Sequence, residues 1–531
     1  MTQCANPDLD QLLQVIEDEI KLRLGSEELD PNASFFDLGV SSIEVLGITE
    51  RLSRQFEIEL DPAVLWEHST LSTLGDYLRV TYGGGDQGEA TAHHEVAAGG
   101  DEADAEASYD SYSYDMFLQS AGPQIGEIER FHAWVGHAVE TGVYPFEAAR
   151  DSAQKTEVHL ERENGERLSM LNLSSYNYLG FGYHPEVIDA AKGALDRFGL
   201  GAASSPVMSG TYSIHKDLER RLVKFFGLSG RGVSLFSSGY AVNVGAIEAF
   251  VKPKDFAILD QSAHMSILEG ARLSGARLLF FRHNDVEHLA QLLDEIDPRS
   301  HRTLICLEGI YSGEGDAGRV REITRLAKDT GAYTLVDEAH SVLIAGEHGR
   351  GVAEAQGALE DVDLYVMTFS KSFGAVGGAL LAREEIVRYT NWFARGRMFS
   401  CALDPAATGG ILKVLELAVS EEGAARRHRI EANAGYLRSR LRPHLDIGVS
   451  TSWIIPVVFG NDAIALQVED QLQRRGLDTS LLAFPAVPRG EARIRLFVTS
   501  EHTREQLDRA ADILVSVADD FGFLRDATTE N

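Results

Sequence analysis

The sequence predicts an α/β protein with a mainly parallel central sheet and a smaller C-terminal lobe, preceded by a small all-α bundle. Helical periodicity fills roughly the first 80 residues, an acidic stretch without periodicity follows, and short apolar strands then alternate with helical segments. That alternation favours a sheet covered by helices on both faces. A length of 531 residues predicts more than one domain, and 44% apolar residues are typical of a globular protein.

The first domain, residues 1–80, is predicted to be a small helical bundle. Its first helix places apolar residues at helical spacing, namely Leu9, Leu12, Leu13, Ile16, Ile20 and Leu24. A second amphipathic helix is predicted to begin at Ser42, and a last helix to cover 71–80.

Residues 81–116 are predicted to be a flexible linker. They contain nine Asp or Glu residues, no Lys or Arg, and no apolar periodicity. Such a segment repels itself and has too little apolar surface to fold. A flexible coil of this length spans roughly 30–35 Å root-mean-square.

The third domain, residues 117–531, carries the strand pattern. Strands are predicted over 233–236, 256–259, 277–281, 303–307, 333–336 and 363–367. Helices such as 215–226 and 320–330 separate these strands. After about residue 410, a long helix and the strands 453–459 and 493–498 predict the smaller C-terminal lobe.

The net charge of −32 is concentrated near the N-terminus, where residues 1–116 contribute −20. Such an acidic surface argues against nucleic acid or an anionic membrane as a partner. No run of about 18 apolar residues predicts a membrane span, and no basic start followed by an apolar stretch predicts a secretory signal. Three widely spaced cysteines, Cys4, Cys306 and Cys401, favour a reducing cytoplasm.

Residues 37–43 form a short motif, Asp-Leu-Gly-Val-Ser-Ser-Ile. The motif resembles the attachment site of acyl carrier proteins, and the resemblance covers essentially all of 8–80. It implies that Ser42 carries 4'-phosphopantetheine, added by a separate phosphopantetheinyl transferase. A helix N-terminus suits this modification because it favours the phosphodiester anion. The alternative is that Ser41 and Ser42 only cap the helix.

A lysine and an Asp-x-x-His motif indicate the chemistry of the third domain. Lys371 lies in Thr-Phe-Ser-Lys-Ser-Phe-Gly, 34 residues after Asp337, which ends a predicted strand. A lysine amine forms a Schiff base with an aldehyde cofactor, and a carboxylate keeps the cofactor's pyridine nitrogen protonated. Together they predict a pyridoxal 5'-phosphate (PLP) site, and no metal ion is assigned.

Residues from about 170 to 500 resemble the α-oxoamine synthases, the family of fold-type I PLP transferases that includes 8-amino-7-oxononanoate synthase and serine palmitoyltransferase. The matching stretches occur in the family's order: Ser175–Gly180, His215–Glu219, Ser237–Asn243, Asp260–Ser266, Glu308–Ser312, Asp337–His340, Thr368–Gly374 and Arg493–Thr499. The resemblance therefore implies the fold, the cofactor and a role for each matching residue.

Four residues are the expected catalytic group. The resemblance implies that Lys371 binds the cofactor's aldehyde and that Asp337 binds its pyridine nitrogen. His340 is expected to reach the phenolic oxygen. His264 is expected to stack on the ring and to contact the substrate carboxylate.

The cofactor's phosphate is expected at the turn after the strand 233–236. Ser238, Gly239 and Tyr240 open a predicted helix there, so their backbone N–H groups should cradle an anion. The hydroxyl groups of Thr368 and Ser370 are candidate donors to the same phosphate.

Other matching residues have expected substrate or cofactor contacts. Ser312 and Glu308 match polar active-site positions, and a purely structural role for Glu308 is equally open. Arg495 matches the arginine that binds the amino-acid carboxylate, although Arg493 lies on the same face of the predicted strand. Asn177 matches a position that approaches the substrate.

The resemblance also implies a homodimer with shared sites, because Ser400 and Cys401 match a pair that reaches the phosphate of the neighbouring subunit. Two departures from the family are visible. Cys401 replaces the common threonine, which weakens one phosphate contact. The glycine-rich stretch that lines the substrate side in relatives differs here over Gly201–Met208.

The implied activity is that of a PLP-dependent acyltransferase, the decarboxylative condensation of a small L-amino acid with an acyl thioester to an α-aminoketone, CO2 and a free thiol. Fusion to a carrier favours a thioester held on Ser42 and loaded by upstream enzymes. One alternative uses acyl-CoA, with the carrier as a docking module. A second alternative is a PLP aminotransferase. Serine, glycine and alanine remain open as the amino acid.

Overall fold

A computed structural model describes residues 125–483, 486–487 and 490–525 of the chain, and among the first 124 residues only Gln14–Glu17, Lys21 and seven positions between 64 and 78. Residues 14–17 are helical, and so are the described positions 71, 74, 75, 77 and 78, in agreement with two predicted helices. Ser42, the helix predicted to begin there, and the predicted linker lie outside the described residues.

The described part of the chain contains fourteen strands. In chain order they are β1 Ala149–Arg150, β2 Glu157–Glu161, β3 Arg167–Asn172, β4 Arg231–Phe236, β5 Phe256–Asp260, β6 Arg277–Phe281, β7 Thr303–Glu308, β8 Tyr333–Asp337, β9 Leu364–Thr368, β10 Gly378–Arg383, β11 Ile454–Gly460, β12 Leu477–Asp478, β13 Ser480–Leu482 and β14 Ala492–Phe497. All eight predicted strands are present, with ends that differ by at most two residues.

The same residues, from 125 onwards, form fourteen α-helices. They are α1 Gly126–Thr141, α2 Pro185–Phe198, α3 Ser213–Phe226, α4 Gly239–Phe250, α5 Met265–Ser274, α6 Val286–Ile296, α7 Val320–Thr330, α8 Val352–Ala355, α9 Glu384–Phe393, α10 Arg395–Met398, α11 Pro405–Ala418, α12 Glu421–Leu441, α13 Asp462–Arg474 and α14 Arg504–Asp520. The predicted helix 320–330 is α7, and the predicted helix 215–226 lies within α3.

Short polar side chains fix where several helices begin. The Ser238 hydroxyl accepts the Ala241 N–H at the start of α4, and the Asp285 carboxylate accepts a backbone N–H at the start of α6. Thr503 and Gln506 form a reciprocal capping box at the start of α14. The cap at Ser238 begins α4 directly at the edge of the central sheet.

The central sheet contains seven strands in the order β4-β10-β9-β8-β7-β5-β6. The strands from β9 to β6 pair in parallel, whereas β10 is antiparallel to both β9 and β4. Because β10 is reversed, β4 points in the same direction as the parallel strands. The carboxyl ends of six strands therefore lie at one edge, which confirms the predicted mainly parallel sheet.

Both faces of this sheet are covered by packed side chains. In β7, Leu304 and Cys306 join one apolar cluster that includes residues of α4 and α5. The alternating Ile305 and Leu307 join the other cluster, which includes residues of α3 and α7. Burial on both faces explains why the sequence of β7 is apolar almost without interruption.

Two smaller sheets complete the described structure. Strands β1, β2, β3 and β12 form one sheet, in which β12 pairs in parallel with β3 and so joins the N-terminal segment to the C-terminal lobe. Strands β11, β14 and β13 form an antiparallel sheet in that lobe. Strand β14 carries Arg493 and Arg495.

Candidate active site

Polar side chains meet at the edge where the parallel strands end. Asp260 ends β5, Glu308 ends β7, Asp337 ends β8 and Thr368 ends β9. All four side chains are buried or nearly so, in strands that are otherwise apolar. The carboxyl edge of an open parallel sheet is the usual place for a ligand in this type of fold.

Lys371 lies in the turn that follows β9, and its Nζ is 2.8 Å from Nε2 of His340. Burial lowers the pKa of Lys371 to about 8, against the opposing effect of the nearby carboxylates of Asp337 and Glu308. The amine is therefore partly neutral near physiological pH. A buried, partly neutral amine is a suitable nucleophile and a suitable base.

Asp337 is held rigidly at the end of β8. Its Oδ2 accepts a hydrogen bond of 2.6 Å from Nδ2 of Asn243 on α4, and its Oδ1 accepts the Ala339 N–H at 2.9 Å. The same Asn243 amide donates to the Ser266 hydroxyl at 2.9 Å. These contacts fix the orientation of the carboxylate.

His264 lies just before α5 and is fixed at both its backbone and its ring. Its N–H donates to Oε1 of Glu308 at 2.6 Å, and its Nδ1 is 2.8 Å from the Ser266 hydroxyl. Burial and the charge of Lys371 lower the pKa of His264. Burial and the charge of Asp337 raise the pKa of Glu308 well above its usual value. These shifts in pKa favour a neutral imidazole at His264 and disfavour the charged form of Glu308.

His340 lies between Lys371 and an aromatic cluster. Its Nδ1 is 2.7 Å from the hydroxyl of Tyr178, and its carbonyl oxygen accepts the Trp453 indole N–H at 3.0 Å. The Phe497 ring lies nearly parallel to the imidazole. Burial, with the charge of Lys371, lowers the pKa of His340 well below its usual value. His340 is therefore a neutral imidazole.

The turn after β4 provides a site for an anion. Helix α4 begins at Gly239, and the first N–H groups of a helix have no partner within it. A Cβ at Gly239 would lie 2.7 Å from Cβ of Thr368, so only glycine allows this close approach. The hydroxyl groups of Thr368 and Ser370 are 2.7 Å apart, and Thr368 lies beside Gly239. A helix start next to two hydroxyl groups fits a phosphate.

The two arginines of β14 differ in their partners. Arg493 pairs with Glu491 at 2.7 Å and with Glu314 at 3.6 Å. Arg495 instead donates to the Ser312 carbonyl at 3.2 Å and to the Ser480 hydroxyl at 3.1 Å, while its buried Nε has no partner within the described chain. Arg495 therefore retains capacity for an anionic ligand, and its role as the carboxylate-binding arginine stays a prediction.

A cavity of about 540 Å³ adjoins these groups. It is lined by Tyr176, Asn177, Ser370 and Ser480, among other residues. The Asn177 amide is held in place, since its Oδ1 accepts the Gly182 N–H at 3.1 Å and its Nδ2 donates to a neighbouring carbonyl. Asn177 thus lies on the wall of a space large enough for a small substrate.

Three predicted residues, Ser312, Ser400 and Cys401, do not contact Lys371 directly in the described part of the chain. The Ser312 carbonyl contacts Arg495, as described above, on a loop beside the site. Ser400 and Cys401 follow α10, and Cys401 is exposed. In the described part of this single chain neither contacts Lys371, so the expectation that they serve a neighbouring subunit stays a prediction.

Several functional contacts were not predicted from the sequence. Asn243 and Tyr178 lie inside motifs that matched the family, but neither residue had a role assigned. Asn243 contacts Asp337 directly, and Tyr178 contacts His340 directly. Ser480 had no signal at all, because its contact with Arg495 depends on the pairing of β13 with β14. Besides that motif, the signal available for Asn243 was a polar residue in a mostly apolar helix.

Among the described helices, none is both long and apolar enough to span a membrane. Residues 169–514 match the family Aminotransferase class I and II, and residues 10–78 match the family Phosphopantetheine attachment site.

Proteins of similar sequence and solved structures indicate a narrower family than Aminotransferase class I and II. The chain is 35% identical to 8-amino-7-oxononanoate synthase from Alkaliphilus metalliredigens over 384 residues, which cover 72% of this chain and 95% of that protein. It is 34% identical to serine palmitoyltransferase from Sphingobacterium spiritivorum over 377 residues, 71% of this chain and 92% of that protein.

The solved serine palmitoyltransferase from Sphingomonas wittichii has a TM-score of 0.70 and 32% identity, and the match covers 76% of this chain and all of that one. The S. paucimobilis enzyme, solved with a bound PLP–myriocin aldimine, also has a TM-score of 0.70, at 30% identity over 75% of this chain and 99% of that one. The chain therefore belongs to the α-oxoamine synthases, PLP-dependent acyltransferases of the class I and II aminotransferase family, and carries a phosphopantetheine attachment domain at its N-terminus.

Proposed function

We propose that this protein condenses a small L-amino acid with an acyl thioester, giving an α-aminoketone, CO2 and a free thiol. The observation that carries the proposal is the buried amine of Lys371, 2.8 Å from His340 at the sheet edge where Asp337 ends its strand. A buried amine beside a neutral imidazole and a fixed carboxylate is the arrangement that PLP chemistry on an amino acid requires.

The residues of the site fit PLP, which when bound would supply an electron sink for a carbanion at the amino acid's Cα. Lys371 would bind its aldehyde carbon, Asp337 its pyridine nitrogen and His340 its phenolic oxygen. His264 would cover one face of the ring. The start of α4 at Gly239 would bind the phosphate, together with the hydroxyl groups assigned above to the anion site.

Lys371 would also serve as the acid–base group of the reaction. Burial lowers its pKa to about 8, so its neutral amine could accept the Cα proton of the substrate. The proton then resides on an ammonium group close to Asp337, and the carboxylate stabilises that charge. The same ammonium group can return a proton after CO2 has left.

Arg495 would bind the carboxylate of the amino acid. Its guanidinium is held by Ser312 and Ser480 at one end and keeps a buried Nε without a partner within the described chain. A fixed guanidinium fork favours bidentate contact with a carboxylate. Asn177, on the cavity wall, would contact the substrate from the opposite side.

The acyl group would arrive as a thioester on phosphopantetheine at Ser42, attached by a phosphopantetheinyl transferase and loaded by upstream enzymes. A tether of this kind holds the acyl group at an effective concentration of about millimolar. The functional unit would be a homodimer, in which Ser400 and Cys401 complete the phosphate site of the neighbouring subunit.

The cofactor assignment is tested by reduction with borohydride and peptide mapping. We expect a pyridoxyl label on Lys371 of the PLP-loaded protein and none after Lys371→Ala. Incubation with a candidate amino acid and acyl thioester should release CO2. A label on another residue overturns the site, and a 2-oxo acid product without CO2 indicates an aminotransferase.

The acyl donor is tested with the adjacent serines of the carrier motif. Ser42→Ala should abolish condensation of the carrier-bound acyl group, whereas Ser41→Ala, its matched control, should retain it. Each variant is also assayed with the same acyl group on CoA. If Ser42→Ala with acyl-CoA is as efficient as the unmodified protein with the carrier-bound acyl group, the carrier is not the acyl donor.

A further inference from the structure

Tyr178 forms a buried pair with His340, and the functions assigned above give Tyr178 no role. The Tyr178 side chain is fully buried, and His340 is 3% exposed. The Tyr178 hydroxyl lies 2.7 Å from Nδ1 of the imidazole, and Nε2 of the same ring lies 2.8 Å from Nζ of Lys371. Tyr178, His340 and Lys371 are therefore connected by hydrogen-bond contacts in a chain that ends at the lysine proposed to bind the cofactor.

The direction of the first hydrogen bond follows from burial. The Tyr178 hydroxyl has one proton to donate, and within the described chain Nδ1 of His340 is its only partner. A buried O–H group without an acceptor is costly, so the hydroxyl donates and Nδ1 accepts. Burial raises the pKa of Tyr178 well above its usual value, so the phenol keeps this proton.

The protonation of Nε2 of His340 follows from the direction of this hydrogen bond. The imidazole is neutral because burial lowers the pKa of His340, and a neutral imidazole carries only one proton. With Nδ1 accepting, that proton is on Nε2, which points at Lys371. The Lys371 amine can accept it only in its neutral form, in agreement with its pKa of about 8.

The surroundings hold the imidazole in this orientation. The ring contacts Tyr176 and Tyr178 edge to face, with centroids 6.0 and 6.1 Å away. The backbone of His340 is fixed by Trp453, and that of Tyr178 accepts the Ser500 N–H at 2.8 Å. Neither side of the hydrogen bond is free to rotate away.

We infer that Tyr178 is a positioning residue that fixes His340 in the tautomer with its proton on Nε2, and so makes it a hydrogen-bond donor to the phenolic oxygen of PLP. The inference rests on the proposed function for the identity of the acceptor. The tautomer itself is a property of the chain alone and can be measured without cofactor.

The test is nitrogen-15 NMR of histidine-labelled, cofactor-free protein, with the His340 signals assigned by their loss in His340→Gln. In the unmodified protein we expect one protonated nitrogen, Nε2. In Tyr178→Phe the Nδ1-protonated form should become populated. The matched control is Tyr365→Phe, which removes a buried hydroxyl bonded to the Arg350 carbonyl and should leave the His340 signals unchanged.

A second readout uses the PLP-loaded protein. Tyr178→Phe should lower kcat about tenfold, as expected for one misplaced hydrogen-bond donor, and leave the KM for the acyl thioester unchanged. Circular dichroism should show that the variant is folded. A proton found on Nδ1 in the unmodified protein, or unchanged His340 signals in folded Tyr178→Phe, overturns the inference. Failure to label Lys371 with borohydride would instead overturn the proposed function.

Discussion

Two histidines at the same edge of the central sheet differ in charge, since His340 is neutral and His283 is protonated. His340 contacts a phenol and an amine, and burial lowers its pKa well below the usual value. His283 lies between two carboxylates, with Nδ1 3.0 Å from Asp260 and Nε2 3.2 Å from Asp316. Burial lowers its pKa as well, but the hydrogen bonds with the two carboxylates raise it to about 10. The neighbours, and not the depth, decide the charge.

His283, the charged histidine, belongs to a hydrogen-bond network that fixes a loop beside the active site. The Asp316 carboxylate also accepts the Asn284 side-chain amide at 2.8 Å, and its carbonyl accepts the Tyr311 N–H at 3.1 Å. These bonds fix the loop 309–318, whose Ser312 carbonyl contacts Arg495. The residues around His283 thus stabilise this loop, and we call them the structural region. The residues around His340 belong to the proposed active site, and we call them the chemical region. Variants in the two regions should have different effects.

The largest effect is expected in the chemical region. Lys371→Ala should lower turnover by at least about 10³-fold, because the protein loses its cofactor anchor together with one acid–base group. The midpoint of thermal unfolding of the cofactor-free protein should change little. Lys371→Arg keeps a positive charge but cannot serve as the anchor, so it should be equally inactive. Substantial turnover by either variant would contradict the assignment.

The structural region should respond in stability instead. His283→Gln leaves Asp260 and Asp316 without their buried counter-ion, and we expect a loss of about 3–5 kcal/mol in the free energy of unfolding. Urea denaturation of the cofactor-free protein measures this loss. The control is His348→Gln, whose own exposed imidazole lies 2.8 Å from Glu354, and for which we expect less than about 1 kcal/mol.

The stability difference should also depend on pH in a defined direction. The folded pKa of His283, about 10, lies above its ordinary value of 6.5. The stabilisation by its charge is therefore complete below pH 6.5 and is lost as the pH rises through 10. The difference in the free energy of unfolding between the unmodified protein and His283→Gln should therefore decrease from pH 6.5 to pH 10. A constant difference would mean that packing, and not charge, holds the loop.

The sequence predicted the chemical region better than the structural one. Lys371, Asp337, His340 and His264 were each predicted from motifs that carry one reacting group at a strand end or turn, and the structure brings them together. Contacts between distant residues could not be predicted in this way. Tyr178 and His340 are 162 residues apart, and their contact depends on the path of the whole chain.

The fold shows the same limit. The six predicted strands of the central sheet are all present, because each is a short apolar run between turns. Strand β10 was not predicted, since it begins only ten residues after β9 in a segment rich in glycine. The sheet of β1, β2, β3 and β12 was also missed, because its outer strands have only two residues each and β2 alternates exposed and buried residues over only five positions.

The two arginines of β14 give a closer comparison, since strand periodicity placed both on one face. Arg495→Lys should raise the KM for the amino acid roughly 10–100-fold, because an ammonium group cannot make the bidentate contact. Arg493→Lys should change this KM less than about threefold, because Glu491 and Glu314 already pair with Arg493 and no substrate contact is lost. Equal effects of the two substitutions would show that both arginines bind substrate.

The smallest expected effect concerns the rate at which the cofactor-free protein captures PLP. Only the neutral amine of Lys371 is nucleophilic, and with a pKa of about 8 its neutral fraction rises roughly tenfold between pH 7 and pH 9. The capture rate, followed by absorbance after rapid mixing, should rise over this range and then level off. Asp337→Asn should move the midpoint to lower pH, since the carboxylate raises the pKa of the lysine. His283→Gln should leave it unchanged, because the pKa of Lys371 is set by burial and by the charges of Asp337, Glu308 and Arg495. A midpoint that shifts with His283 would show that the two regions are electrostatically connected.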